Sequence, residues 1–395
     1  MTDRASTADG TQTDRIARKY GSWRVVVPVV AAAGIAAGVL VAFVLSGSRE
    51  PVGGSSGVTG GASSHLRMVA GTVWVANEDG ASLSAIDTAS NTMATTVKGV
   101  EGPHNVQVSP NGKSVWAVSG HDSLAVMFDA SSLQLHGVAA TGGAPAHVVL
   151  APDGRTTYTT NGADNTVTVI NSATMAVVAE IPVGAGPHGL RPSPDGRQVV
   201  VANVAGSTLT FIDTAGNTKV ADVEVGKAPA QVAFSPDGAV VYASVSGEDA
   251  VVKVDVATLK VLGRVAVGDG PIQTFVTPDN RYLLVANQGR EDRPGTTVSV
   301  IDTTTFTVVR TVETGQGAHG IVVDPSSRHA YVTNMYGDDV AVIDLEELRV
   351  VARIPVGDRP NGISFSPVTV PAQEAVKLDV PDPHGGAEPN TPMVH

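Results

Sequence analysis

From residue 103 to residue 367 the apolar residues fall into short alternating runs broken by Gly, Pro, Asp and Asn. A period of two with frequent turn formers predicts half-buried β-strands. The whole pattern returns about every 42 residues. One copy starts at Ala318 (AHGIVVDPSSRHAYVTNMYGDDVAVIDLEELRVVARIPVG), another at Pro145 (PAHVVLAPDGRTTYTTNGADNTVTVINSATMAVVAEIPVG). Aligned starts are Pro103, Pro145, Pro187, Pro229, Pro271, Ala318 and Pro360, each followed seven residues later by a proline: Pro110, Pro152, Pro194, Pro236, Pro278, Pro325 and Pro367.

Each unit reads as four strands. The first (HGIVV) ends at a Pro-Asp-Gly type turn, where proline presets φ and glycine accepts positive φ. The second (AYVTN) ends in a Gly/Asp/Asn loop. The third (VAVID) stops at Asp87, Asp129, Asn171, Asp213, Asp255, Asp302 or Asp344, and the fourth (RVVARIPVG) runs into the next unit. Four-stranded units of this length, repeated about seven times, predict an all-β, seven-bladed β-propeller. Six units are complete. Residues 73–102 begin at a second strand and residues 360–367 supply only a first strand. Joined, they make a seventh blade that clasps the ring and removes exposed strand edges.

The motifs YVTN, VAVID and IPVG, recurring in fixed order over residues 66–367, resemble the YVTN family of β-propeller repeats. Two copies drift, to Trp116-Ala-Val-Ser119 and Tyr242-Ala-Ser-Val245. The resemblance extends distantly to the propellers of nitrous oxide reductase and cytochrome-type nitrite reductase, which implies copper or haem as possible cofactors. This chain has no CxxCH haem-attachment motif and no cupredoxin domain.

Ahead of the repeats, residues 25–45 (VVVPVVAAAGIAAGVLVAFVL) form an apolar run of 21 residues. At about 1.5 Å per residue that spans roughly 30 Å, a bilayer's hydrocarbon thickness. Arg15, Arg18, Lys19 and Arg24 precede it and only Arg49 follows closely. The positive-inside rule puts the N-terminus in the cytoplasm and the repeats outside. A cleaved signal peptide is the rival reading, but the run exceeds the usual apolar core and no A-x-A site follows. Gly34 and Gly38 give a GxxxG spacing, which an Ala/Gly-rich span produces readily by chance. The predicted order is a cytoplasmic tail (1–24), a transmembrane helix (25–45), a Gly/Ser-rich linker (46–64), the propeller (65–370) and a disordered C-terminal tail (371–395).

Composition narrows the chemistry. The chain has no cysteine, which excludes disulfides, thiol catalysis and thiolate metal sites. Its net charge is −12, with no basic cluster beyond the N-terminal tail, so nucleic acid is excluded as an expected partner. No G-x-S-x-G elbow, Walker loop or HExxH is present. The repeated Ser-Pro-Asp-Gly reads as a turn and not a nucleophile.

Candidate chemistry sits at one end of the channel. In a four-stranded blade the first strand lines the channel, so the residues just after each start meet at one mouth. They are His104-Asn105, Ala146-His147, His188-Gly189, Ala230-Gln231, Ile272-Gln273, His319-Gly320 and Asn361-Gly362. Chance would place about 0.35 histidines in these slots; four are found. Three readings stand: solvated or backbone-bonded side chains, a ligand-binding mouth, and a metal or haem site built on His104, His147, His188 and His319. Candidate ligand-binding residues are His104, His147, His188, Gln231, Gln273, His319 and Asn361. Arg290 and Arg293, in a five-residue insertion of the fifth unit, are candidates for meeting an anion over the channel, against an ordinary solvated loop neutralised by Glu291 and Asp292. The leading expectation is a membrane-anchored, extracytoplasmic binding module for a protein, glycan or small polar ligand. The alternatives are a metal- or haem-dependent oxidoreductase and a lactonase-like hydrolase.

Overall fold

The computed structural model describes residues 69–381. The predicted cytoplasmic tail, membrane helix and linker lie outside those residues. Seven antiparallel sheets form the ring expected from the repeats. Blades 1 to 6 span residues 106–140, 145–182, 187–224, 229–266, 271–313 and 318–355, each a four-stranded meander. Blade 7 is composite: Pro360–Ser366 pairs with Thr72–Asn77, followed by Ser82–Asp87 and Thr92–Lys98. The innermost strands touch their neighbours all the way round, from Val106–Val108 through Pro360–Ser366 and back.

The recurring motifs have separable physical jobs. The Asn closing YVTN is buried, and its amide reaches two hydroxyls of the third strand. Asn161 Nδ2 lies 2.8 Å from both Thr166 Oγ1 and Thr168 Oγ1. Asn77, Asn203 and Asn287 repeat this with Ser82 and Ser84, Thr208 and Thr210, and Thr297 and Ser299. The glycine closing IPVG crosses over the same asparagine. A Cβ at Gly184, Gly268 or Gly357 would collide with Asn203, Asn287 or Asn77, so the glycine and the asparagine recur together. The third-strand Asp caps its own turn, as where Asp129 Oδ1 accepts from the amides of Ser131 and Ser132 at 2.9 and 2.7 Å. The Ser-Pro-Asp-Gly hydroxyl is spent locally too: Ser193 Oγ donates to Asp195 Oδ1 at 2.6 Å.

Apolar side chains of facing blades fill the spaces between sheets. Trp74 of blade 7 meets Phe128 of blade 1 edge-on, with ring centroids 5.4 Å apart. Burying a large side chain contributes roughly 1.5–3 kcal/mol, and every blade interface is lined by fully buried Val, Ile or Leu.

One predicted boundary is corrected. The disordered tail was expected from residue 371, yet Val376–Lys377 forms a strand, parallel to Thr92–Lys98, as a fifth strand on blade 7. The preceding segment is tied down by Thr72 Oγ1, which donates to Val368 O at 2.8 Å and accepts from Val370 N at 3.0 Å. Val370 and Leu378 are buried against Ala94, Val97 and Val100. Proline and polar residues hid this segment in the sequence, because two apolar anchors eight residues apart produce no periodic signal. Ending the chain at Pro367 is therefore expected to lower the urea midpoint, with a loss of about 2 kcal/mol for each of the two anchors. An unchanged midpoint would mean the segment adds nothing to the ring.

Candidate functional site

The chain turns from rim to channel in the same way seven times. The residue before each start (Gly102, Ala144, Gly186, Ala228, Gly270, Gly317 and Arg359) has φ between 51° and 74°. This left-handed residue, mostly followed by a proline of fixed φ, swings the chain inward. The next two residues form a bulge: in blades 2, 3, 5 and 6 pairing with the second strand skips from the first residue of the unit to the fourth. A bulge re-aims side chains, so the second and third positions both reach the mouth although a regular pleat would send them to opposite faces.

The Thr or Ser of the YVTN motif satisfies this kink. Thr160 Oγ1 accepts from His147 N at 3.1 Å and donates to His188 O of the next blade at 2.6 Å. Thr333 does the same between Gly320 N and Asn361 O, at 2.7 and 2.9 Å. Amides at the third position also join blades: Asn105 Oδ1 accepts from Val148 N at 3.2 Å, and Gln273 Oε1 from Ile321 N at 3.3 Å.

Within this frame the four histidines meet. Ring centroids are 4.8 Å apart for His147 and His188, 5.1 Å for His104 and His188, 5.6 Å for His104 and His147, and 6.1 Å for His104 and His319. One ring nitrogen from each of His104, His147 and His188 lies within 4.8 Å of the other two. His188 Nδ1 sits 2.9 Å from Ala230 O. A carbonyl only accepts, so Nδ1 carries the proton and Nε2 presents its lone pair. That Nε2 is 3.1 Å from His104 Nε2. His147 Nε2 and His319 Nδ1 are buried without a hydrogen-bond partner.

Electrostatics favour the neutral ring at His147, His188 and His319. Burial, then the charges of His188, His104, Arg191 and His319, hold His147 well below the usual imidazole range. Burial and then His104 bring His188 to about 4, against opposing support from the Ala230 carbonyl and Glu78. Burial, then His104 and His188, take His319 to about 3. Beside them stands Glu78. Burial would raise its pKa, but the charge and hydrogen bond of His104, the Asn361 amide and the charge of His319 outweigh it and hold the carboxyl at about 2. Its oxygens lie 3.5 Å from His104 Nδ1 and 2.8 Å from Asn361 Nδ2.

The other candidates divide. Asn361 joins the cluster, its Nδ2 2.9 Å from His104 Nδ1. Gln231 reaches His147 Nδ1 at 3.5 Å. Gln273 faces a neighbouring backbone amide and makes no hydrogen bond to any histidine. The arginines do not take the expected role. The insertion continues the second and third strands of blade 5 as a hairpin (Tyr282–Arg290, Arg293–Asp302), where Arg293 pairs with Asp269 at 2.7 Å. Arg290 is exposed near the tip, and neither arginine makes an ion pair or hydrogen bond within the histidine cluster. The hairpin leans over the next blade: Gly317 N donates to Gly295 O at 2.7 Å, Gln288 Nε2 lies 3.1 Å from Tyr336 Oη, and Glu291 Oε1 lies 3.9 Å from Arg359 Nη1. Two further polar residues here carry no signal in the sequence: Glu78, one loop carboxylate among many, and Arg191, half-buried on the innermost strand of blade 3.

Comparison with known proteins agrees with the ring. No curated protein matches the sequence. Among solved structures, hydrazine synthase of Kuenenia stuttgartiensis superposes with a TM-score of 0.62 at 24% identity, covering 67% of this chain and 90% of that one. A 6-phosphogluconolactonase assignment from Bacteroides uniformis gives 0.64 at 17% identity, covering 75% and 99%. The dihydro-haem d1 dehydrogenase NirN, in complex with DHE, gives 0.57 at 14%, covering 76% and 77%. At these identities the likeness is one of fold. The family model for YNCE-like β-propellers matches residues 154–238 and 217–380, more than half of the sequence. The chain belongs to the YNCE-like β-propeller family.

Proposed function

We propose that this protein is a transition-metal-binding propeller, displayed outside the cytoplasm on an N-terminal membrane helix, whose ion sits among His104, His147 and His188. The convergence of three imidazole nitrogens from three consecutive blades carries this reading. Ligand nitrogens about 2.0–2.1 Å from a tetrahedral ion stand about 3.3 Å apart. The 3.1 Å between the Nε2 atoms of His104 and His188 is close to that separation. The two Nε2 atoms face each other there, and a cation between them would displace the proton they share.

The surroundings support the same chemistry. Metal-bound histidines usually hand their other nitrogen to a carbonyl or carboxylate, which fixes the ring and raises its basicity. His188 does so with Ala230 O, and His104 has Glu78 beside its Nδ1. An all-imidazole set without thiolate suits zinc or copper(II). The partnerless His319 Nδ1, in a ring 6.1 Å from His104, offers a fourth nitrogen or a hydrogen bond to a ligand on the ion. Ring centroids 4.8–5.6 Å apart leave no room for a porphyrin plane among the three, so a single ion is favoured over haem. No residue set at the mouth favours lactone hydrolysis over this reading.

The anchoring half rests on the 21-residue apolar run at 25–45 and the cations before it. No helix among the described residues is long and apolar enough to cross a membrane. The full chain is expected to stay with membranes through alkaline carbonate washing, and a chain beginning at Ser46 to be released. Recovery of both in the wash would remove the anchor.

Titrating the metal-free protein with Co(II) is expected to give visible d–d bands that saturate at one equivalent. His188→Ala should abolish them. Glu78→Gln keeps all three ligands and should weaken binding about 10–100-fold. A featureless titration, or full binding by H188A, would sink the metal reading.

A further inference from the structure

We propose that the channel below the histidines binds a small anion, a carboxylate or an inorganic oxyanion, through Arg191. The repeat itself singles this residue out. Arg191 is the fifth residue of its unit, on the innermost strand Pro187–Pro192. The same position holds Val149, Ala233, Phe275 and Val322 in blades 2, 4, 5 and 6. In blades 7 and 1 it holds Ser364 and Gln107, which face each other with Gln107 Nε2 3.4 Å from Ser364 Oγ. Blade 3 alone places a charge where its neighbours place apolar or mutually bonded side chains.

That charge has no counter-ion among the described residues. The guanidinium makes one hydrogen bond, from Nη1 to Leu190 O at 3.1 Å, and forms no ion pair. Glu78, the carboxylate of the histidine cluster, is committed to His104 and Asn361. Arg191 is half-buried, and its strand is the one nearest the channel. Protein packed around it takes its pKa down to about 10 through desolvation, and its charge is near enough to depress His147. A largely enclosed arginine without a carboxylate costs stability, and departures from a local rule of this kind cluster at functional sites. A planar fork with free N–H donors fits the paired oxygens of a carboxylate or phosphate.

The site does not depend on the metal reading, and the test keeps the two apart. Metal-free protein in low-anion buffer is titrated with inorganic phosphate and, separately, with acetate, each at matched ionic strength, while the thermal midpoint is followed. Wild type is expected to gain about 5 °C at a hundredfold excess over the dissociation constant. Phosphate acting alone would assign the oxyanion, and acetate acting as well would assign a carboxylate-tolerant site. Arg191→Met should lose the response and start from an equal or higher midpoint, because it removes an unpaired charge. Arg191→Lys keeps the charge without the fork and should respond at least tenfold more weakly, which preserves the test if the Met variant folds poorly. His188→Ala, lacking a proposed metal ligand, should respond like wild type. Equal responses from wild type, R191M and R191K would overturn the proposal, as would wild type showing none.

Discussion

The kink that opens each innermost strand is the constraint on which the rest of the molecule depends. A backbone bent there loses regular pairing for two residues, and a buried amide without a partner is costly. The hydroxyl of Thr160 or Thr333 meets that amide and also grips a carbonyl of the next blade. One small side chain thus repairs the bend and fastens two sheets. The glycines at the third position belong to the same solution, since a Cβ at Gly362 would lie 2.6 Å from Asn105 Cα. Close approach of blades, and with it a narrow mouth, follows from these local repairs.

Much of this was legible because the repeat displays itself seven times. The blade count, the composite blade and the four histidines all follow from aligning starts. The bulge was not legible, since alternation alone assigns His104 and His147 to opposite faces. Only the skipped pairing shows why second- and third-position side chains share one mouth. Glu78 looked like any loop carboxylate, and its contact with His104 joins residues 26 apart across a blade boundary. Arg290 and Arg293 were visible as charges, but not as members of a hairpin that leans on blade 6 while Asp269 holds Arg293. The C-terminal strand was hidden because its pairing is parallel and only two residues long.

Repetition of backbone with variation at the mouth explains how a near-symmetric scaffold carries an asymmetric site. The second and third positions contribute little to the packing between sheets, where Val and Ile dominate. They are free to differ from blade to blade, and blades 1, 2 and 3 supply the three imidazoles that converge. Blades 4 and 5 supply Gln231 and Gln273, whose amide oxygens accept from backbone N–H groups. Charge is distributed as unevenly: an ionised Glu78 on one side, neutral rings between, and Arg191 on the strand below His188.

Blade 7 also gives the molecule a seam. Six sheets are each made from one continuous stretch, and their strands can find one another by local search. The seventh needs residues 360–366 to meet residues 72–77, nearly 300 positions away along the chain. Such a contact is slow to form, because long-range closure comes after local pairing. That sheet is the one closure that local search cannot supply, and without it Asn361 cannot stand beside His104. The mouth is completed only in a molecule whose circle has shut.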